Sequence, residues 1–370
     1  MNQVRVILFL FLFLCPPFTP APALGGADAP DYANHPLYAK YQFGGRGAKV
    51  LDLGTQPMAV PAGVVGATLG HDRLLHAALK ERGWEFRNHT FLKGPDSNFF
   101  FQRGDLDVAI AGDWPTITLA ASHDLQVVGL AKQSFSTIIA KGLRRVEDLK
   151  GRRIGSAAGT TAHYGLLVAL DNAGMKESDV TLVPLEVNEM GEALAQGKVE
   201  AFASWEPATT NALRTHPEFS VVQRFLNNSY IYLSSDLINK HPEIADLVVA
   251  SYARSLRWMR DDRKNLMRAV DWTLKGVAEM LGKTPTLSPE DIARTTTDDL
   301  LKIAASPVVP RQDLSEKGSI RRAFTFLQRQ GKIAAAVPWG KIEQSFDRTL
   351  IDRILADPQR YQLLSFDYDE

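Results

Sequence analysis

Residues Gly159-Thr160-Thr161-Ala162-His163 combine a glycine turn, two adjacent hydroxyls and the start of a helix with one apolar face. The first N–H groups of a helix are unpaired and carry partial positive charge, so such a turn suits a small anion. Thr160 and Thr161 add hydroxyl donors without adding charge, and no nucleophile with a base beside it accompanies them. A plainer reading stays open: either threonine can simply cap the helix, and His163 can be a surface or capping residue. Two other segments carry groups of complementary kinds, Asp113-Trp114-Pro115 and Trp205-Glu206-Pro207, and Gln56 precedes Pro57 in a third. The tryptophans can be flat walls for a ligand or core residues. Asp113 and Glu206, each close to a proline, can face a ligand amine or only stabilise helix starts.

The elements that must position these groups follow from the apolar pattern. A strand over residues 49–54 is followed by a helix over about 70–82, a strand over 84–92, a helix over about 96–103 and a buried strand over 107–111. The order recurs: strand 153–156, a helix ending near Gly174, strand 180–185, helix 189–196 and strand 201–204. Gly104-Asp105-Leu106-Asp107 leading to Asp113-Trp114-Pro115 aligns with Gly197-Lys198-Val199-Glu200 leading to Trp205-Glu206-Pro207. Alternating strands and helices predict parallel α/β sheets, and two similar copies predict two lobes. Ligands gather at the carboxyl ends of strands in such sheets, where all four segments lie. Beyond His241 the chain reads as helical over 242–258, 266–281, 289–304 and 317–330. Residues 361–370 read as a polar, loose tail.

Composition narrows the chemistry. The 42 basic residues balance 42 acidic ones, which argues against nucleic acid as a partner. Arg5 followed by the apolar run 6–15 and then prolines and small residues has the order of a secretory signal peptide, and the run is too short to span a bilayer. Cys15 is the only cysteine. A lipid anchor there is disfavoured by the bulky Leu14, and removal of the signal leaves no thiol for disulfides, thiolate catalysis or cysteine-based zinc sites. The eight histidines are spread singly, and no serine-nucleophile elbow, phosphate loop or dinucleotide fingerprint is present. Neither a metal nor a cofactor is expected, and no catalytic residue is assigned.

Residues 146–155, Gly159-Thr160-Thr161-Ala162-His163, Gly197-Lys198-Val199-Glu200-Ala201 and Trp205-Glu206-Pro207 resemble the substrate-binding proteins of sulfonate, taurine and nitrate ABC importers. Gly104-Asp105-Leu106-Asp107-Val108 with Gly112-Asp113-Trp114-Pro115 is similar to that family's first-lobe pattern. The resemblance runs over about residues 50–351 and implies an α/β, two-lobed periplasmic binding protein of type II. Each lobe would be a mostly parallel sheet flanked by helices, with the ligand cleft between the lobes and closure by hinge motion.

It further implies a signal peptide over 1–27, an extension over 28–47, one lobe from 48–137 and 236–351, a second lobe from 138–235, and a tail over 352–370. The chain crossings should fall near 136–139 and 232–236. Ligand contacts carried over by the resemblance are Gly159, Thr160, Thr161, Ala162 and His163, and less specifically Gln56, Asp113, Trp114, Trp205 and Glu206. The implied function is non-enzymatic: capture of a small organic anion, an organosulfonate or sulfate ester, for a membrane permease, by a periplasmic monomer that binds no nucleic acid. A receptor for nitrate, bicarbonate or a thiamine pyrimidine precursor is one alternative, and an exported enzyme using His163 with Glu206 is another. Two stretches depart from the family, 58–66 and Asn98-Phe99-Phe100-Phe101. Both belong to the first lobe, and at least one of the three phenylalanine rings is expected at the surface or the cleft.

Overall fold

The structure, a computed structural model, describes residues 32–45, 47–285 and 287–369. The expected signal peptide, with Cys15, and residues 28–31 and 46 of the expected extension lie outside the described residues. The chain divides into two units at Ala39. In the first, a 3-10 turn at Tyr32–Asn34 precedes a His35 ring stacked on Tyr38 at 4.5 Å.

The second unit is built on one eight-stranded sheet. In chain order its strands are β1 (Val50–Thr55), β2 (Glu85–Thr90), β3 (Val108–Gly112), β4 (Leu125–Lys141), β5 (Arg153–Ser156), β6 (Thr181–Pro184), β7 (Ala201–Trp205) and β8 (Phe219–Ser234). In space they run β2-β1-β3-β8-β4-β7-β5-β6. β1 lies parallel to β2 and β3 in one half, and β5 lies parallel to β6 and β7 in the other. The long antiparallel pair β4–β8, in register from Leu125↔Ser234 to Lys141↔Phe219, joins the halves. β3 adds to β8 and β7 to β4, both antiparallel. The helices are α1 (Ala62–Gly70), α2 (Arg73–Glu81), α3 (Gly94–Arg103), α4 (Asp113–Ser122), α5 (Thr161–Asn172), α6 (Met190–Ala195), α7 (Ala208–Thr215), α8 (Ser235–Lys240), α9 (Pro242–Asp261), α10 (Arg263–Leu281), α11 (Pro289–Thr296), α12 (Ser319–Arg329), α13 (Trp339–Ser345) and α14 (Thr349–Ala356).

Strands covered on both faces read as unbroken apolar runs, as β7 does with all five residues buried. Each half has its own core. One gathers Leu51, Leu53, Ile110, Ile231 and Leu233 under α1, α9 and α10; the other gathers Ile138, Ile154, Leu166, Leu170 and Phe202 under α5. Among the described residues no helix is long and apolar enough to cross a membrane.

Two expectations change. The helix expected over 70–82 is α2 and starts three residues later, at Arg73, because Asp72 caps it by accepting from the amides of Leu74 and Leu75 at 3.1 and 3.3 Å. α1, which begins inside the stretch 58–66 that departs from the family, is almost wholly buried. The tail is not loose: Leu363 is fully buried, and Tyr368 stacks on Trp258 at 4.1 Å while its backbone bridges to Asp72. The phenylalanine run packs inward except for one ring, as expected. Phe100 packs with Phe43 and Phe91, Phe101 meets Tyr232, and Phe99 is the half-buried ring, covered by Arg103.

One carboxyl of this framework responds to pH. Asp107, just before β3, accepts from the Asp52 amide at 3.0 Å, and burial foremost, then the charges of Asp52 and Asp236, push it up to about 7. An acid whose folded value lies above its unfolded value contributes stability at low pH and loses it as pH rises through about 7. Asp107→Asn should therefore unfold later than wild type at pH 8, by on the order of 2 kcal/mol, with the advantage gone near pH 4. Denaturant melts at both pH values check this, and parallel profiles would contradict it.

Candidate functional site

The site forms where strand ends from both halves meet the start of α5. Gly159 adopts φ +73°, a left-handed conformation that a side chain would strain. The chain then straightens so that Thr160 becomes the N-cap: its hydroxyl accepts from the His163 amide at 3.3 Å and donates to the Ala157 carbonyl at 2.7 Å. His163 is buried with its ring stacked on Trp114 at 4.9 Å, and its Nδ1 accepts from the Gly159 amide at 3.2 Å. Its Nε2 lies 3.5 Å from Glu177, whose carboxyl is held down at about 2, mainly by that histidine, with Lys332 adding to it. The turn is thus braced from behind. In front, the amides of Thr161 and Ala162 find no protein acceptor among the described residues.

Opposite stands Asp113, at the start of α4. Its Oδ1 accepts from the Thr161 hydroxyl at 2.8 Å and from the Trp114 amide at 2.8 Å, and its Oδ2 accepts from the Asn228 amide of β8 at 3.2 Å. Burial raises its pKa against the pull of those hydrogen bonds. The Asp113–Thr161 bond ties the α4 start in one half of the sheet to the α5 start in the other. A second tie joins Lys93 to Glu186, and a third runs from the Val60 amide to the Glu206 carbonyl at 3.3 Å.

Between these ties lies a small cavity. Gln56, Thr160, Thr161 and Trp205 line it among the expected residues, together with Ala59, Gly94, Gly112, Pro115, Lys132 and Ser229. Its volume of about 30 Å³ holds one or two waters, so an organic anion needs the two halves to part. Gln56 donates to the Ile110 carbonyl at 2.6 Å. Trp205 is buried, and its Nε1 has no acceptor among the described residues. Gly159, Ala162, Trp114, His163, Asp113 and Glu206 do not line this cavity. Glu206 accepts from the Thr210 amide at 3.2 Å and shares neither a hydrogen bond nor an ion pair with His163 among the described residues. A neighbouring depression of about 310 Å³ begins at Met58 and Pro207 and is lined by Val277 and Leu281. Sequence reasoning missed Lys132. The available signal was a lone charge inside the apolar stretch of β4, where it is buried.

A long β4–β8 ribbon carrying a mostly parallel three-stranded layer at each end, with helix starts facing across it, is the architecture of two-lobed periplasmic binding proteins. The periplasmic aliphatic sulphonate binding protein SsuA from Escherichia coli has this fold, with a TM-score of 0.58 at 21% identity over 82% of this chain and 99% of that one. The alkanesulfonate-binding protein SsuA from Xanthomonas axonopodis pv. citri, bound to MOPS, gives 0.57 at 22% identity, covering 83% and 97%. The desulfurization enzyme DSZB shares the fold as well, at 0.54 and 15% identity, covering 84% and 99%.

In sequence, residues 95–265 match the NMT1/THI5-like family model. An aliphatic sulfonates-binding protein of Escherichia coli (strain K12) is 33% identical over 129 residues, 33% of this chain and 40% of that protein. The taurine-binding periplasmic protein of the same organism is 27% identical over 248 residues, 63% of this chain and 73% of that protein. The chain thus spans about 40% of the first of these relatives and nearly three quarters of the second. Over residues 95–265 it is thus similar to the NMT1/THI5-like family, and it is a homologue of sulfonate- and taurine-binding periplasmic proteins.

Proposed function

We propose that this protein is the solute-binding component of an ABC importer, that it works in the periplasm, and that it captures an aliphatic organosulfonate between two lobes. The observation that carries this reading is the pair of acceptor-free amides at the start of α5, beside a cavity to which both halves of the sheet contribute. A sulfonate presents three oxygens to such donors and stays ionised at every physiological pH, which suits a helix start. In this reading residues 48–137 and 236–351 form one lobe, 138–235 form the other, and a permease in the membrane receives the ligand.

Thr161, Ala162 and Trp205 hold the anionic head. Gln56 and Thr160 shape its seat, while Asp113, Trp114, Gly159, His163 and Glu206 brace the walls. The alkyl portion extends toward Met58, Pro207, Val277 and Leu281. Both oxygens of Asp113 are engaged by protein donors, so an amine on the ligand gains little from it. Catalysis by His163 with Glu206 is disfavoured, since each is committed to a different partner. Calorimetric titration with methanesulfonate, ethanesulfonate and taurine tests the proposal: all three should bind one to one, with ethanesulfonate and taurine within about tenfold of each other, the span of a single weakly made polar contact.

A further inference from the structure

Lys132 has no evident structural reason to be where it is. Its side chain is 3% exposed, and its ammonium has neither an ion pair nor a hydrogen bond among the described residues. A buried charge is normally paired, because water no longer solvates it. The acidic groups that act on it are Asp299, Asp113 and Glu206, and each is engaged elsewhere: Asp299 by the Ser134 hydroxyl, Asp113 by Thr161, Trp114 and Asn228, and Glu206 by the Thr210 amide. Burial lowers the lysine's pKa against the pull of those three carboxyl groups, none of which comes within ion-pair distance of the ammonium.

The backbone places Lys132 there by a local device. Leu130 pairs with Tyr230 and Lys132 with Ser229, so β4 has one more residue than β8 at this point. Such a bulge re-aims the side chains that follow it, and Lys132 and Ser229 both line the cavity at the start of α5. The same cavity is lined by Trp205, whose buried indole N–H also has no acceptor among the described residues. One cation and one indole N–H therefore line the same cavity as Thr161, whose backbone amide has no acceptor among the described residues.

We propose that Lys132 is the charged contact that makes the cleft select a fully ionised oxyanion over a neutral ligand of the same shape, acting with the Trp205 N–H and the α5 amides. This rests on the cleft being an anion receptor. It adds that selectivity comes from a lysine on the connecting ribbon, not from the helix start alone.

The test compares methanesulfonate with its neutral isostere methanesulfonamide, titrated into wild type, Lys132→Gln and Lys132→Met, with Tm recorded without ligand. Wild type should prefer methanesulfonate by about 100-fold or more, and both variants should lose about 30-fold or more of its affinity while binding methanesulfonamide within about threefold of wild type. The unliganded Tm should hold or rise, because an unpaired buried charge has gone. Lys132→Met serves if Lys132→Gln does not fold.

Methanesulfonate affinity within about threefold of wild type in the variant that folds would overturn the role of Lys132 and leave the sulfonate reading intact. If wild type binds nitrate or acetate but no sulfonate, and the variants lose that binding, Lys132 keeps its role and the sulfonate reading fails. Wild type binding none of these anions overturns both.

Discussion

Gly112→Ala is expected to weaken sulfonate binding by about 10- to 100-fold while moving the unliganded Tm by no more than about 2 °C. Gly112 ends β3, and a Cβ there would lie 2.1 Å from the Thr161 hydroxyl and 3.2 Å from its Cβ, across the gap between the two halves. The backbone itself accepts alanine, at φ −67° and ψ 170°. Thr161 can turn away only by giving up its bond to Asp113, and a β-branched residue in a first helical turn has few other rotamers. Overpacking of this kind costs about 1–3 kcal/mol. Here the cost falls on the approach of the two halves, because the crowded contact joins Gly112 at the end of β3 to Thr161 at the start of α5. A conformation that is less populated lowers apparent affinity in proportion. Unchanged affinity would mean that the approach of Gly112 to Thr161 has no part in closure.

The largest loss of stability is expected at Asp72. Its carboxylate is fully buried and accepts from the Arg254 guanidinium, the Ser251 hydroxyl and the Leu74 and Leu75 amides. It caps α2 and neutralises a cation on α9 together. Asp72→Ala removes the cap and leaves Arg254 buried without its partner, which should cost about 3–5 kcal/mol. Tm should fall by roughly 5–10 °C. The double variant Asp72→Ala, Arg254→Met should recover a large part of that loss, since the stranded charge is then absent. A double variant no more stable than the single one would place the whole effect in the cap.

How much of this was legible in the sequence follows from the range of each interaction. The α/β alternation, the strand ahead of α5 and the glycine turn are local, and short-range rules find them. The threonines were found too, and Thr160 fills the capping role that was one of the two readings open to it. Thr160 spends its hydroxyl within its own turn, and Thr161 spends its hydroxyl on Asp113, leaving the amides as the free donors. The Asp113–Thr161 pair is 48 residues apart in sequence, so no periodicity reveals it.

The length of β4 and β8 was hidden because polar residues interrupt both, Lys132-Gln133-Ser134 in β4 and Asn227-Asn228-Ser229 in β8. Lys132 was visible only as a charge within an apolar run, and a bulge one residue long decides which way it points. The docked tail was misread because Tyr368 stands among acidic residues, while the Trp258 and Trp272 rings that receive it lie about a hundred residues earlier in the chain.

The central claim is that an anionic head sits at the start of α5 between the two halves of the sheet. Titration of methanesulfonate into the wild-type protein tests it most directly, with the Gly112→Ala protein as the matched control. The account predicts saturable, one-to-one binding that raises Tm and that weakens at least tenfold when Gly112 gains a methyl group. No binding of any sulfonate, or binding that Gly112→Ala leaves untouched, would contradict it.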